Sequence, residues 1–500
     1  MNNRSRLHRF ALLTKRYKVV LALLFLLPWL LFSDTIHSYF SQDDFFHLRV
    51  VMDKNYQDIP SFFFSLQKEY AFYRPLSRET FNLLMYRSFG LNPLPFHLVN
   101  LLLVMIGGWL VFLVAQKLTK SSLTSLLAVV LYLFNSIHSI ELYYLASVQT
   151  LLALLFLLLS LLFYLSSDDS LKKYLLSLSF FVLGLLSHEI SIVMIGIIFC
   201  LEVTINNLRV WDKRLVKRLL PFAVIGLFYL ASTSLFNRLP DQPVYQPVLS
   251  VKSMINTLSW YTLWVAGMPE FVVDFIGPKL TVNPNLMKWY GNFFRIALPT
   301  FLVGGLAITY FLVIFKNQLL KSNIFWFVAL SYFISLLPFI FFPQHKSSYY
   351  LTLASVWFSI LLALPLSWAL EKQKVMKVFS LLAIIAFIVI SYQTINLNKI
   401  TYWAAKRASA AHVLLADVKE KYPSVDKGAV FYIKNDSNYP FIAKEWGSSS
   451  KQAFYILSGS DAFKLLFGDP TIQVYFEEMH PFPPSINKGK VIIYTAKFPY

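Results

Sequence analysis

Long uninterrupted apolar runs dominate the chain, and short polar loops separate them. Runs of this kind predict helices of membrane length rather than one-sided surface helices. They fall near 19–32, 96–115, 122–135, 143–165, 174–187, 190–205, 219–236, 293–315, 323–342, 349–370 and 376–394. The 19–32 run lacks a small-residue cleavage site and reads as a retained first crossing. Two stretches break the pattern. The loop at 34–95 is polar and aromatic, with two amphipathic pieces at 61–73 and 78–89. In the second piece, Phe81, Leu84, Met85 and Phe89 recur at helical spacing, as in helices that lie in the interfacial plane. Beyond residue 398 the apolar runs stop. Helical pieces at 406–421, 451–457 and 461–467 alternate there with strand-like pieces at 429–434, 471–476 and 491–496, which predicts a small α/β unit.

The expected fold is therefore an all-α polytopic membrane protein with interfacial helices in the first outer loop. A transmembrane domain spans 1–397 and a small α/β extracytoplasmic domain spans 398–500. Charge sets the orientation, because loops rich in Lys and Arg stay in the cytoplasm. Arg4, Arg6, Arg9, Lys15, Arg16 and Lys18 precede the first run without an acid. Lys117 and Lys120, Lys172 and Lys173, Arg209 to Arg218, Lys316 and Lys321, and Lys372 to Lys377 mark the later cytoplasmic loops. Residues 254–277 are apolar but carry Pro269, Glu270 and Asp274. A crossing there would put Lys316 and Lys321 outside, so this segment is expected to be a re-entrant or interfacial hairpin on the outer face. About eleven crossings then leave the N-terminus inside and the C-terminal domain outside.

Composition agrees. Hydrophobic residues make up 57% of the chain and charged residues 14%, against about 25% charged in soluble domains. The net charge of +19 is explained by the cytoplasmic loops, and no nucleic-acid partner is expected. A single cysteine, Cys200, excludes disulfides and cysteine metal sites within the chain.

With this topology, the polar residues that stand out collect on one membrane face. Asp43, Asp44, His47 and Arg74 lie in the first outer loop, and His138 and Glu141 in the second. His188 and Glu189 form a turn between two runs, and His345, Lys346 and Tyr349 lie in a further outer loop. Each cluster also fits a plain role, as a solvated turn, a helix cap or a headgroup contact. Carboxylates and cations converging on one face beside interfacial helices suggest a site instead.

Several stretches resemble the GT-C superfamily of membrane glycosyltransferases, which use polyprenyl-phosphate-linked sugars. The resemblance takes in protein O-mannosyltransferases, aminoarabinose transferases and tetratricopeptide-containing mannosyltransferases. Asp43-Asp44-Phe45-Phe46-His47 is similar to their first-loop acidic motif, with Asp44 where Glu is usual and Leu48 where an aromatic follows. Tyr73-Arg74-Pro75-Leu76-Ser77, Phe89-Gly90-Leu91-Asn92-Pro93 and Phe96-His97-Leu98-Val99-Asn100 resemble a longer and more specific run of that group. His138-Ser139-Ile140-Glu141 resembles the second-loop His-x-x-Glu of the tetratricopeptide-containing members. The basic and acidic residues that follow there are replaced by Ala146-Ser147-Val148-Gln149. Ser187-His188-Glu189 looks like their Lys-Glu turn, with His for Lys. The resemblance covers residues 15–200 well and the remainder by topology.

It implies an integral membrane glycosyltransferase that moves a hexosyl or pentosyl group from a polyprenyl-phosphate donor to a protein, lipid or glycan acceptor hydroxyl, with inversion. A carboxylate then takes the acceptor proton as the oxygen attacks the anomeric carbon. The lipid phosphate leaves as a stable anion, so cations rather than a second acid must meet it. The expected base is Asp43, with Asp44 and Glu141 orienting the acceptor or carrying a metal. Arg74, His345 and Lys346 are expected at the phosphate, with His47, His138, His188, Glu189 and Tyr349 as further substrate-binding residues. Asp43, Asp44, Glu141 and His138 could hold a divalent metal, but no obligatory cofactor is expected. The C-terminal domain is expected to shape acceptor access. Two other readings share the bulk features, a lipid or glycan transporter or flippase and a glycan polymerase or ligase. The first requires pseudo-symmetric halves and polar residues at the bilayer midplane, and the sequence shows neither.

Overall fold

The computed structural model describes residues 22, 24–64, 72–167, 170–234, 245–439, 447–481 and 491–497. The basic N-terminal stretch and part of the 61–73 piece lie outside these residues. Six helices are long and apolar enough to cross a membrane by length and composition: Leu94–Thr119, Leu145–Tyr164, Lys213–Thr233, Asn285–Ile314, Ser348–Leu370 and Lys374–Lys421. Ser122–Leu133 and Asn323–Leu336 are apolar but shorter. The chain is a multi-pass membrane protein, and each of these helices coincides with a run read from the sequence. Asn285–Ile314 and Lys213–Thr233 bury little of their apolar surface within the protein, as lipid-facing helices do.

The 254–277 segment forms a helix over Val251–Val265 that ends in a turn at Gly267, whose φ of 107° suits glycine. A Cβ there would sit 2.6 Å from Ile390. The turn is anchored by two side chains. Asn135 donates to the Val265 carbonyl at 2.9 Å, and Thr394 donates to the Gly267 carbonyl at 2.6 Å.

Four helical stretches carry the argument about function: α2 (Trp403–Lys421), which is the last part of Lys374–Lys421 beyond Tyr402, and α1 (Asp43–Val51), α3 (Ser449–Ile456) and α4 (Asp461–Phe467), which lie outside the six. The C-terminal unit has the alternation expected of it. Strands β1 (Val430–Lys434), β2 (Gln473–Phe476) and β3 (Val491–Thr495) are all parallel, in the order β2-β1-β3. Parallel strands need crossover connections, and α3 and α4 fill the one between β1 and β2.

The 34–95 loop does not stand apart from this C-terminal unit. Phe40, Phe45, Leu48 and Met52 on and around α1 share one buried cluster with Leu414, Leu415, Ile456, Leu457 and Phe463. Each fully buried Phe or Leu contributes about 2 kcal/mol, so this shared core fixes the position of α1. Polar ties reinforce it. The Gln42 N–H donates to the Ile456 carbonyl at 2.7 Å, and Arg49 pairs with Asp461 at 3.0 Å. The Phe81–Phe89 helix turns Leu83 and Met85 inward and leaves Leu84 and Phe89 exposed, so only part of its expected stripe faces outward.

Candidate active site

The site is built around the start of α1. Gln42, its N-cap, adopts φ 54° and ψ −125°, a conformation that costs a non-glycine residue roughly 1 kcal/mol or more. It is held there by the bond to Ile456, and Asp43 at the first position of the helix places negative charge where it suits the helix dipole.

Those carboxylates are neighbours in sequence with different surroundings. Asp44 is 3% exposed and fully engaged. The Ser41 N–H donates to its Oδ2 at 2.9 Å, and the Ala146 N–H donates to its Oδ1 at 2.7 Å. Burial pushes its carboxyl up to about 8, against the pull of these two donors. Asp44 therefore ties the start of α1 to the loop around Ala146. Asp43 is exposed and faces a cavity of about 720 Å³. The Tyr144 hydroxyl donates to Asp43 Oδ2 at 2.5 Å.

The cavity gathers residues from segments far apart in the chain. Asp43, His47, Arg74, His188, Glu189, His345 and Tyr349, all expected at the site, line it together. Four other expected residues do not line it. Asp44 lies behind the loop, as described. His138 and Glu141 are buried and closed on each other. His138 Nδ1 lies 2.6 Å from Glu141 Oε2, and His138 Nε2 donates to the Tyr132 carbonyl at 2.7 Å. Lys346 turns its ammonium to the Pro343 carbonyl at 2.7 Å.

A polar network forms one wall. Arg74 makes a two-pronged bond to Glu189, from Nε at 2.8 Å and from Nη2 at 2.5 Å, and also donates to Gln149 Oε1. The Gln149 amide nitrogen in turn donates to His47 Nε2 at 3.1 Å. Burial opposes ionisation of Glu189, but Arg74 overrides it and holds the carboxyl at about 2. His47 is kept neutral by burial first, and then by Arg78 and Arg74. His188 is pushed down to about 3 by burial, with Arg74 adding to the effect. Arg78 is spent on Glu79 and on the Phe72 carbonyl. His345 packs against Tyr245 at a tilt, with ring centres 4.6 Å apart, and burial lowers its pKa.

Sequence reasoning missed Tyr144, Gln149 and Arg407. Tyr144 and Gln149 stand in the second-loop stretch, close to the His138 and Glu141 spacing that marks it. Arg407 lies in the 406–421 helical piece, for which the sequence predicts only a helix. One signal pointed to it, a cation placed shortly after Tyr402 and Trp403 at the end of the last apolar run.

The expected metal donors do not fit an ion. Among the described residues no three His, Cys, Asp or Glu side chains converge as metal ligands. Asp44 has a backbone donor on each oxygen, and His138 and Glu141 pair with each other. No step is routed through a metal.

No family model matches the chain, and no curated relative does. Among solved structures it is similar to the archaeal oligosaccharyltransferase AglB from Archaeoglobus fulgidus in complex with an inhibitory peptide and a dolichol-phosphate. That match has 11% identity over 92% of this chain and 65% of that one, with a TM-score of 0.48. The apo form of the Archaeoglobus fulgidus oligosaccharyltransferase matches at 12% identity over 93% of this chain and 65% of that one, with a TM-score of 0.49. The same organism's enzyme in complex with zinc and sulfate matches at 13% identity over 91% and 61%, with a TM-score of 0.47. The chain thus spans less than two thirds of the length of these enzymes.

Proposed function

We propose that this protein is a membrane glycosyltransferase. It moves a sugar from a polyprenyl-phosphate donor to an acceptor hydroxyl at the extracytoplasmic face, with inversion. The observation that carries this reading is the exposed Asp43 carboxylate, held by Tyr144 in a cavity that also contains a cation, Arg407.

Asp43 is the base. It takes the proton of the acceptor hydroxyl as that oxygen attacks the anomeric carbon, while the bond to the lipid phosphate breaks on the opposite face of the sugar. The Tyr144 hydroxyl orients Asp43 for that proton transfer. Asp44 keeps the helix start in place and does not touch substrate, and the His138–Glu141 pair packs behind Ile140 in the same supporting role. The Arg74–Glu189–Gln149–His47 network forms a rigid polar wall against the sugar, and His345 and Tyr349 face it. Acceptors of protein, lipid or glycan type all present a suitable hydroxyl.

The test is a donor panel. Purified protein in detergent or nanodiscs is incubated with polyprenyl-phosphate-linked hexoses and pentoses, and release of free polyprenyl phosphate is followed. One donor should be consumed. If none is consumed but a labelled lipid or glycan crosses the bilayer of vesicles carrying the protein, the transporter reading replaces this one.

A further inference from the structure

Arg407 lies on α2, in the C-terminal unit, yet it lines the cavity together with Asp43 and Tyr144. Its guanidinium sits over the Trp403 ring, with Cζ 5.4 Å from the centroid. Among the described residues no carboxylate comes within ion-pair distance of it.

The other cations around the cavity are all committed. Arg74 is spent on Glu189 and Gln149, Arg78 on Glu79 and the Phe72 carbonyl, and Lys346 on the Pro343 carbonyl. The two arginine–glutamate pairs cancel. Among the described residues Asp43 and Arg407 form no ion pair, although the charge of Asp43 acts on Arg407, and Asp43 already accepts from Tyr144.

A second donor stands at the same cavity. The imidazole of His188 accepts the Ile190 N–H on Nδ1 at 3.1 Å, so its proton sits on Nε2. That nitrogen is buried, His188 being 2% exposed, and among the described residues no group accepts from it. A buried donor without an acceptor is costly, and an anionic oxygen would satisfy it.

We propose that Arg407, supported by His188, binds the phosphate of the donor lipid, so that the C-terminal unit supplies part of the donor site. This rests on the glycosyltransferase reading and extends it. One guanidinium and one neutral N–H suit a single phosphate group, whose charge Arg407 neutralises while Trp403 fixes the plane of the guanidinium. The charge that develops on the leaving phosphate then falls on a cation already in place. On this account the C-terminal unit does more than shape acceptor access, because α2 holds the leaving group and its neighbours α3 and α4 hold the base helix α1.

The experiment measures binding of farnesyl phosphate to the purified full-length protein in detergent, with farnesol as the uncharged comparison. Wild-type protein should prefer the phosphate. Arg407→Ala should weaken farnesyl phosphate binding by about thirtyfold or more, the effect of removing one partner of a desolvated charge pair. It should leave farnesol binding and the thermal midpoint close to wild type. Arg407→Lys should restore part of the preference, and the donor KM should rise in Arg407→Ala while the acceptor KM holds. Unchanged phosphate binding in Arg407→Ala would overturn the proposal, as would equal loss of phosphate and farnesol binding, because either outcome gives Arg407 no phosphate. The wild-type donor panel tests the glycosyltransferase reading separately. Consumption of a donor together with an indifferent Arg407→Ala would sink this inference alone.

Discussion

The Tyr144 hydroxyl donates to Asp43 across 101 positions of sequence, joining two distant loops at the wall of the cavity. The bond leaves Asp43 one oxygen that no group among the described residues engages, and it fixes the direction in which that oxygen points. Tyr144→Phe keeps the ring contact with Trp403, at 5.4 Å between centroids, and removes only the hydroxyl. Transfer should fall about tenfold to a hundredfold, the range expected for one lost hydrogen bond to a charged group, with the thermal midpoint little changed. Steady-state rates beside a melting curve would check this. A large loss of stability with the rate per folded molecule intact would count against a positioning role.

Asp44 should respond differently from its neighbour. Both of its oxygens accept backbone N–H groups, and an amide nitrogen cannot accept, so Asp44→Asn must leave the Ser41 or the Ala146 N–H unpaired in a buried place. A cost of about 1–3 kcal/mol follows, seen as a lower thermal midpoint in detergent. Asp43→Asn should melt close to wild type, because Tyr144 can donate to an amide oxygen as well as to a carboxylate. If Asp44→Asn were as stable as wild type while Asp43→Asn unfolded, the division of labour between the two would be reversed.

His188 gives the protein an acid sensitivity whose sign can be worked out. Burial, with Arg74 adding to it, holds its imidazole at about 3, whereas in the unfolded chain it takes a proton near 6.5. Between these values the unfolded state binds more protons than the folded one, so stability rises with pH and is lost as pH falls from about 6.5 toward 3. The thermal midpoint should drop between about pH 7 and about pH 5, and less so in His188→Asn. The asparagine oxygen can still accept the Ile190 N–H at the start of the short helix that follows, so the cap survives while the titration does not. Identical pH slopes in the two proteins would show that His188 is not the group responsible.

The architecture was legible in the sequence to different degrees. The long helices were visible because a run of apolar residues is dictated by the membrane itself, whatever packs around it. The three C-terminal strands were visible because Val, Ile, Phe and Tyr cluster there between turn residues. What the sequence could not display was depth. Asp43 and Asp44 are adjacent and chemically alike, and only the packing of α1 on Ile456 and Leu457 and the reach of Ala146 decide which one meets the cavity. His138 and Glu141, three apart on a helix, were near enough in sequence to pair with each other, which their site reading passed over. Arg407 was hidden for the opposite reason. Only its place shortly after Tyr402 and Trp403 marks this arginine locally, and its importance comes from where α2 lands after the break at Tyr402. There the tyrosine hydroxyl is drawn to Glu270 at 3.1 Å and exchanges a second hydrogen bond of the same length with Ser348.

The central claim is that Asp43 removes the acceptor proton, and one measurement bears on it most directly. With the donor identified by the wild-type panel, sugar transfer by Asp43→Asn is compared with wild type at equal amounts of folded protein, alongside donor binding. The account predicts that transfer is lost, by about a hundredfold or more, while the lipid-phosphate donor binds as before. Transfer by Asp43→Asn at the wild-type rate would contradict it.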